Sequence, residues 1–164
     1  MLKIYNFALS FYNLIPCCSI CNHIKRDNNK KLLNPYFDGF GDKLSFHINH
    51  RDFVLWNKEI VVDFTFSKEC DSEFIEKSTN NISEFALKEL YGQHKDYIEE
   101  IIRKAYSYNE SFYDGLIHDF SKLDMTPAEI KRLIFGNYID LTDNEKRPLS
   151  KITRDLVKDI ILKD

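Results

Sequence analysis

The sequence predicts an α+β fold, with a small hairpin-bearing unit over residues 1–68 and a mainly α-helical lobe over residues 69–164. Three observations carry this. Two short segments, 44–50 and 62–66, alternate apolar and polar residues with period two, as half-buried strands do. From about residue 80 the apolar spacing changes to three and four, the period of a helix with one buried face. Only 5 glycines and 4 prolines occur in 164 residues, which favours long elements over the many turns of a small-stranded sandwich. A composition of 43% hydrophobic and 30% charged residues excludes collagen-like, disordered, disulfide-scaffold and membrane-bundle classes.

Taken in order, residues 1–16 are aromatic and apolar and end at the turn-forming Ile15-Pro16. Cys18 to Asn29 reads as a short helix with a basic face at Lys25 and Arg26, stopped by Asp27-Asn28-Asn29. Asn34-Pro35-Tyr36, Gly39 and Gly41 mark a loop. Leu44–His50 and Val62–Phe66 are the strands of the hairpin, with a turn near Asn57-Lys58 and with His47 and His50 expected on the solvated face. Asn81, with Glu84 three residues on, has the pattern of a capping box. One long helix is expected from there through Ile82, Phe85, Leu90, His94, Ile98, Ile101 and Ala105, with His94 on its buried stripe. Phe112–Phe120 is a second helix, with His118 likewise expected in the core. Thr126-Pro127-Ala128-Glu129 opens a third with cap, first-turn proline and N3 glutamate all in place. The fourth follows Ser150, with Leu149, Ile152, Leu156 and Ile160 on one stripe.

The net charge of −3 is unevenly spread. Residues 1–58 hold 8 Lys/Arg against 4 Asp/Glu, and residues 59–164 hold 15 against 22. Between positions 146 and 158, however, Lys146, Arg147, Lys151, Arg154 and Lys158 face only Asp155. A polyanion would be met by the ends of the chain rather than its centre. Asn6, Asn13 and Pro16 interrupt the N-terminal apolar stretch and no small-residue cleavage site follows, so no secretory signal is read. No segment reaches the ~18 continuous apolar residues of a membrane helix. The expected location is cytoplasmic, with no membrane association, and the four cysteines are expected as thiols or metal ligands rather than disulfides.

No Gly-rich phosphate loop and no nucleophile elbow occurs. One segment stands apart, Asn13-Leu14-Ile15-Pro16-Cys17-Cys18-Ser19-Ile20-Cys21-Asn22-His23-Ile24-Lys25. Cys18-x-x-Cys21 has the spacing at which two thiolates on a tight turn meet one zinc. It is half of a tetrahedral site, and Cys70 has no partnered spacing, so zinc ligands and free thiols both stand as readings.

The pattern Asn-Leu-x-Pro-x-Cys-x-x-Cys-Asn-x-x-Lys resembles the C-terminal part of the HNH endonuclease motif, the ββα-metal finger. Leu33-Asn34-Pro35-Tyr36, the Leu90–Lys95 stretch and Arg147-Pro148-Leu149-Ser150-Lys151 are similar to segments of bacterial HNH proteins with a helical C-terminal lobe. The resemblance implies that residues 1–68 are a ββα-like HNH remnant and that the chain binds nucleic acid, DNA in preference. It implies metal-dependent phosphodiester hydrolysis, in which Asn13 braces the loop and Asn22 holds one divalent cation. An amide oxygen is a hard donor suited to Mg²⁺ or Mn²⁺, and such a cation stabilises the phosphate and its leaving oxygen. Lys25 then faces the phosphodiester one turn on. The family's first strand carries an Asp-His pair whose His is the general base. Residues 1–12 hold neither residue type, so these 164 residues are expected to be impaired in hydrolysis. The resemblance also implies an ATPase partner in a bacterial defence system, and with it the alternative of a non-catalytic binding subunit. Nucleic-acid contacts are expected from Lys25, Arg26, Lys30 and Lys31, with Lys151 and Arg154 as a second patch. His23 stands ~100° round the helix from Asn22 and is read as a surface residue.

Overall fold

In the computed structural model the described residues are 17–25, 30–108, 110–122, 124–143 and 146–161. In chain order they form α1 (Ser19–Lys25), β1 (Leu44–Ile48), α2 (His50–Trp56), β2 (Val62–Phe66), α3 (Ser72–Glu84), α4 (Leu87–Gly92), α5 (Lys95–Ser107), α6 (Glu110–Ser121), α7 (Pro127–Phe135) and α8 (Ser150–Ile161), an α+β set. The chain divides into two units, residues 1–40 with 69–87, and residues 41–68 with 88–164. The strand pair therefore groups with the C-terminal helices, not with the N-terminal segment.

In the first unit, α3 opens at Asp71, whose carboxylate accepts the Phe74 N–H at 2.7 Å. Residues 31–33 lie along this helix. The Leu33 N–H donates to Asn81 Oδ1 (3.1 Å), and Asn80 Nδ2 donates to the Lys31 carbonyl (2.9 Å). Leu33, Phe74 and Ser78 are buried. Asn81 thus sits near the end of a helix instead of opening one, and the expected long helix is three, α3, α4 and α5. Ala86 marks the first break with φ +45°. That left-handed conformation costs a residue with a β-carbon ~1–2 kcal/mol and does not continue a right-handed helix. His94 falls at the second break, exposed at the N-cap of α5, and His118 is exposed on α6, so neither is a core histidine.

In the second unit, β1 and β2 pair antiparallel, with Leu44 opposite Phe66 and Ile48 opposite Val62. Leu44, Phe46 and Ile48 are buried while His47 faces out, as the period-two pattern predicts. The connection is not a tight hairpin. Helix α2 fills it and ends at Asn57 in the left-handed conformation (φ +49°), which asparagine tolerates better than most residues. His50, expected on the solvated strand face, instead opens α2 and is buried. The core joins Phe46, Ile48 and Val62 to Ile98, Ile101, Ile102 and Ala105 of α5, Phe135 of α7, and Ile152, Leu156 and Val157 of α8. Leu149 and Ile160 pack at its edge. The α7 capping box forms as predicted, with Thr126 and Glu129 satisfying each other's backbone N–H groups.

Candidate functional site

Cys18 and Cys21 meet on the turn entering α1. The Cys21 N–H donates to Cys18 Sγ at 3.4 Å. That N–H first, then the Cys21 thiol, draws the Cys18 thiol below its ordinary value, and the same pairing pushes Cys21 up. Cys17, Cys18, Cys21 and Cys70 are all free thiols. Two sulfurs at this spacing fit half of a zinc site. Among the described residues, however, no three His, Cys, Asp or Glu side chains gather where a metal ion could be held.

Helix α1 buries none of its residues. Asn22 and Lys25, three positions apart, share a side of it and are exposed, as is His23. Ile20 and Ile24 are also exposed on it. Lys25 has no ion-pair partner among the described residues, whereas Lys30 pairs with Glu84 and Lys31 with Glu76 (3.4 Å). Asn13 and Arg26 lie outside the described residues.

Lys151 and Arg154 do not form a surface patch. Arg154 is 1% exposed, with Nη2 2.9 Å from both Asp155 Oδ1 and Asp42 Oδ1. Lys151 Nζ donates to the Gly41 carbonyl (2.8 Å) and to Asp155 Oδ2 (2.9 Å). Burial pushes the Lys151 ammonium below its ordinary value against the pull of Asp155. The Phe46 N–H of β1 also donates to Asp155 Oδ2 (2.9 Å), so this carboxylate couples β1, α8 and the Gly41-Asp42 turn. A signal for this was in the sequence, because Lys151 and Asp155 stand four apart on a predicted helix and are placed to pair internally.

Sequence reasoning missed two further groupings. Beside β1 and α8 lies a cleft of about 330 Å³, lined among others by Asp42, Ser45, His47, Lys158 and Asp159. Behind it His50 bridges three helices, with Nδ1 2.9 Å from the Tyr106 hydroxyl of α5 and Nε2 3.0 Å from Asp159 of α8. The other grouping places Arg132, Lys146 and Arg147 around Tyr138. Neither follows from spacing, since each joins segments far apart or separated by a turn whose path periodicity does not give.

Comparison with protein-family models, curated proteins and solved structures gives no match for this chain. Among the described residues, no helix is long and apolar enough to cross a membrane.

Proposed function

We propose that this chain is a nucleic-acid-binding protein of HNH type that grips phosphates through α1. The observation supporting this is the exposure of α1, which buries nothing and presents Asn22 beside a Lys25 with no ion-pair partner among the described residues. Lys30 and Lys31 add charge close by in sequence. Their pairs with Glu84 and Glu76 leave the lysine side chains 50% and 64% exposed. The Lys31–Glu76 pair, exposed at both ends, is worth ~0–1 kcal/mol, so a phosphate competes for it readily. Hydrolysis by descent would in addition need a general base and a bound divalent cation. The test is fluorescence anisotropy with a labelled DNA duplex. Binding is expected in the micromolar range or weaker and to fall steeply with salt. Lys25→Ala is expected to reduce the salt slope by about one. Binding that does not change between ~50 and ~200 mM salt overturns the reading.

A second reading, a non-catalytic subunit that docks a protein partner such as the ATPase implied by the resemblance, is favoured by one observation. Val54, Leu55 and Trp56 at the end of α2, with Val61 before β2, are all exposed. Apolar side chains clustered in this way on a surface are a feature of docking sites. Loss of copurification with such a partner in Trp56→Ser, with duplex binding intact, would separate it from the first reading.

A further inference from the structure

The second unit gathers three cations on one aromatic ring. Arg132 Cζ, Lys146 Nζ and Arg147 Cζ lie 5.4, 5.2 and 5.8 Å from the centroid of Tyr138. The electron-rich ring face attracts each of them, but the three like charges also repel one another. Only Lys146 has an ion-pair partner within 4 Å among the described residues, Asp143 at 2.8 Å, which raises its basicity, while the Glu129 carboxylate acts on Arg132 from farther away. The guanidiniums make neutral hydrogen bonds instead. Arg132 donates to the Tyr138 hydroxyl (3.2 Å) and Arg147 to the Gly136 carbonyl (3.2 Å). Arg147 and Lys146 are exposed, and Arg132 and Tyr138 half-buried, so the cluster is open to a ligand.

A buried polar hub fixes these positions. Asn137, 4% exposed, donates to the Tyr97 hydroxyl (3.0 Å) and to the Pro148 carbonyl (2.9 Å). Its Oδ1 accepts from Ser150 Oγ (2.6 Å) and from the Tyr138 N–H (2.9 Å). One asparagine thus ties the turn after α7 to the turn before α8. Each turn contains a left-handed residue, Gly136 at φ +71° and Leu149 at φ +64°. A leucine there is strained, and such strain persists only where the surroundings over-determine it. The cations are therefore held near one another before any ligand arrives, which removes part of the ordering cost of binding.

We propose that Arg132, Lys146 and Arg147, gathered on Tyr138, bind a phosphate group. Two planar guanidinium forks offer paired donors to phosphate oxygens, and the ammonium adds a point charge. This site is separate from α1 and does not rest on the reading of that helix. The phosphate belongs either to a nucleic-acid backbone or to a free polyphosphate.

The test uses the full chain with inorganic pyrophosphate, followed by calorimetry and by the ring resonances of Tyr138, and in parallel with the labelled duplex. Pyrophosphate is expected to bind and to shift those resonances. Arg147→Gln, at an exposed position, is expected to weaken it about tenfold or more, the loss of one charge-assisted contact. Lys146→Gln provides a second variant that leaves the Arg147–Gly136 hydrogen bond in place and is expected to weaken it severalfold. If Arg147→Gln also lowers the salt slope of duplex binding by about one, the phosphate is a backbone phosphodiester; if only pyrophosphate binding falls, it is a free phosphate. Absence of pyrophosphate binding in the millimolar range, or less than about a twofold change in both variants, overturns the proposal. A duplex that fails to bind while pyrophosphate binds overturns the α1 reading and leaves this one standing.

Discussion

Helices α1 and α8 both carry basic residues that read alike in sequence, yet α1 buries none of its 7 residues and α8 buries 7 of 12. The difference lies in what accompanies the charge. On α8, Ile152, Leu156 and Val157 recur at helical spacing and draw the helix into the core, carrying Arg154 with them. A buried guanidinium is tolerated only with partners, and Asp155 and Asp42 supply them. On α1 the apolar residues Ile20 and Ile24 remain exposed, and Lys25 stays in water. Charge type alone does not identify a phosphate grip.

The sharpest way to break this comparison is Arg154→Ala. It leaves Asp155 buried without its guanidinium partner, a change expected to cost ~3–5 kcal/mol in urea denaturation. A loss under ~1 kcal/mol would place Arg154 with the surface charges after all. His50→Ala comes next. It strips hydrogen-bond partners from Tyr106 and Asp159, and ~1–3 kcal/mol is expected from the same measurement. Thr126→Ala removes the α7 cap for about 1 kcal/mol. The Thr126 N–H and then its hydroxyl hold the Glu129 carboxyl below the usual glutamate value. A carboxyl lowered in the folded state contributes stability above its unfolded pKa of ~4.3 and loses it as pH falls through the folded value. The gap between wild type and Thr126→Ala should therefore narrow in acid, and a gap that widened there would refute the capping box.

Lys25→Ala is expected to leave stability within ~0.5 kcal/mol while weakening duplex binding, the converse of Arg154→Ala. A matching loss of stability would show that α1 packs more than its exposure indicates. The smallest effect is chemical. With its thiol lowered by the Cys21 N–H, Cys18 should be alkylated before Cys21, read by mass spectrometry of partly modified chain. Equal rates would mean that the turn is not maintained in solution.

The strands, a turn at Asn57, the α7 cap and the α8 stripe were legible because each is written in adjacent residues. Helix α2 was not. His50 and Phe53 are the side chains it turns inward, too few for a helical period to stand out within 7 residues. The breaks at Ala86 and His94 carry no proline, and an alanine at φ +45° contradicts its own preference, so nothing local announced them. At the candidate site, the Cys18–Cys21 turn and the exposed side of α1 followed from spacing. The burial of Arg154 and the convergence on Tyr138 did not, because both depend on segments brought together only by the packing of α8.

Trp56 is the chain's single tryptophan, and it stands 70% exposed at the end of α2. Indole emission follows the polarity around the ring, so the folded protein should already fluoresce at the long wavelength of a water-bathed tryptophan. Unfolding monitored by that emission would be almost silent even as the core around Ile102 and Phe135 comes apart. The same property gives the second unit a built-in optical label next to the exposed Val54 and Leu55. A macromolecule settling over Val54, Leu55 and Val61 would displace water from that ring and move its emission to shorter wavelength, with no dye attached.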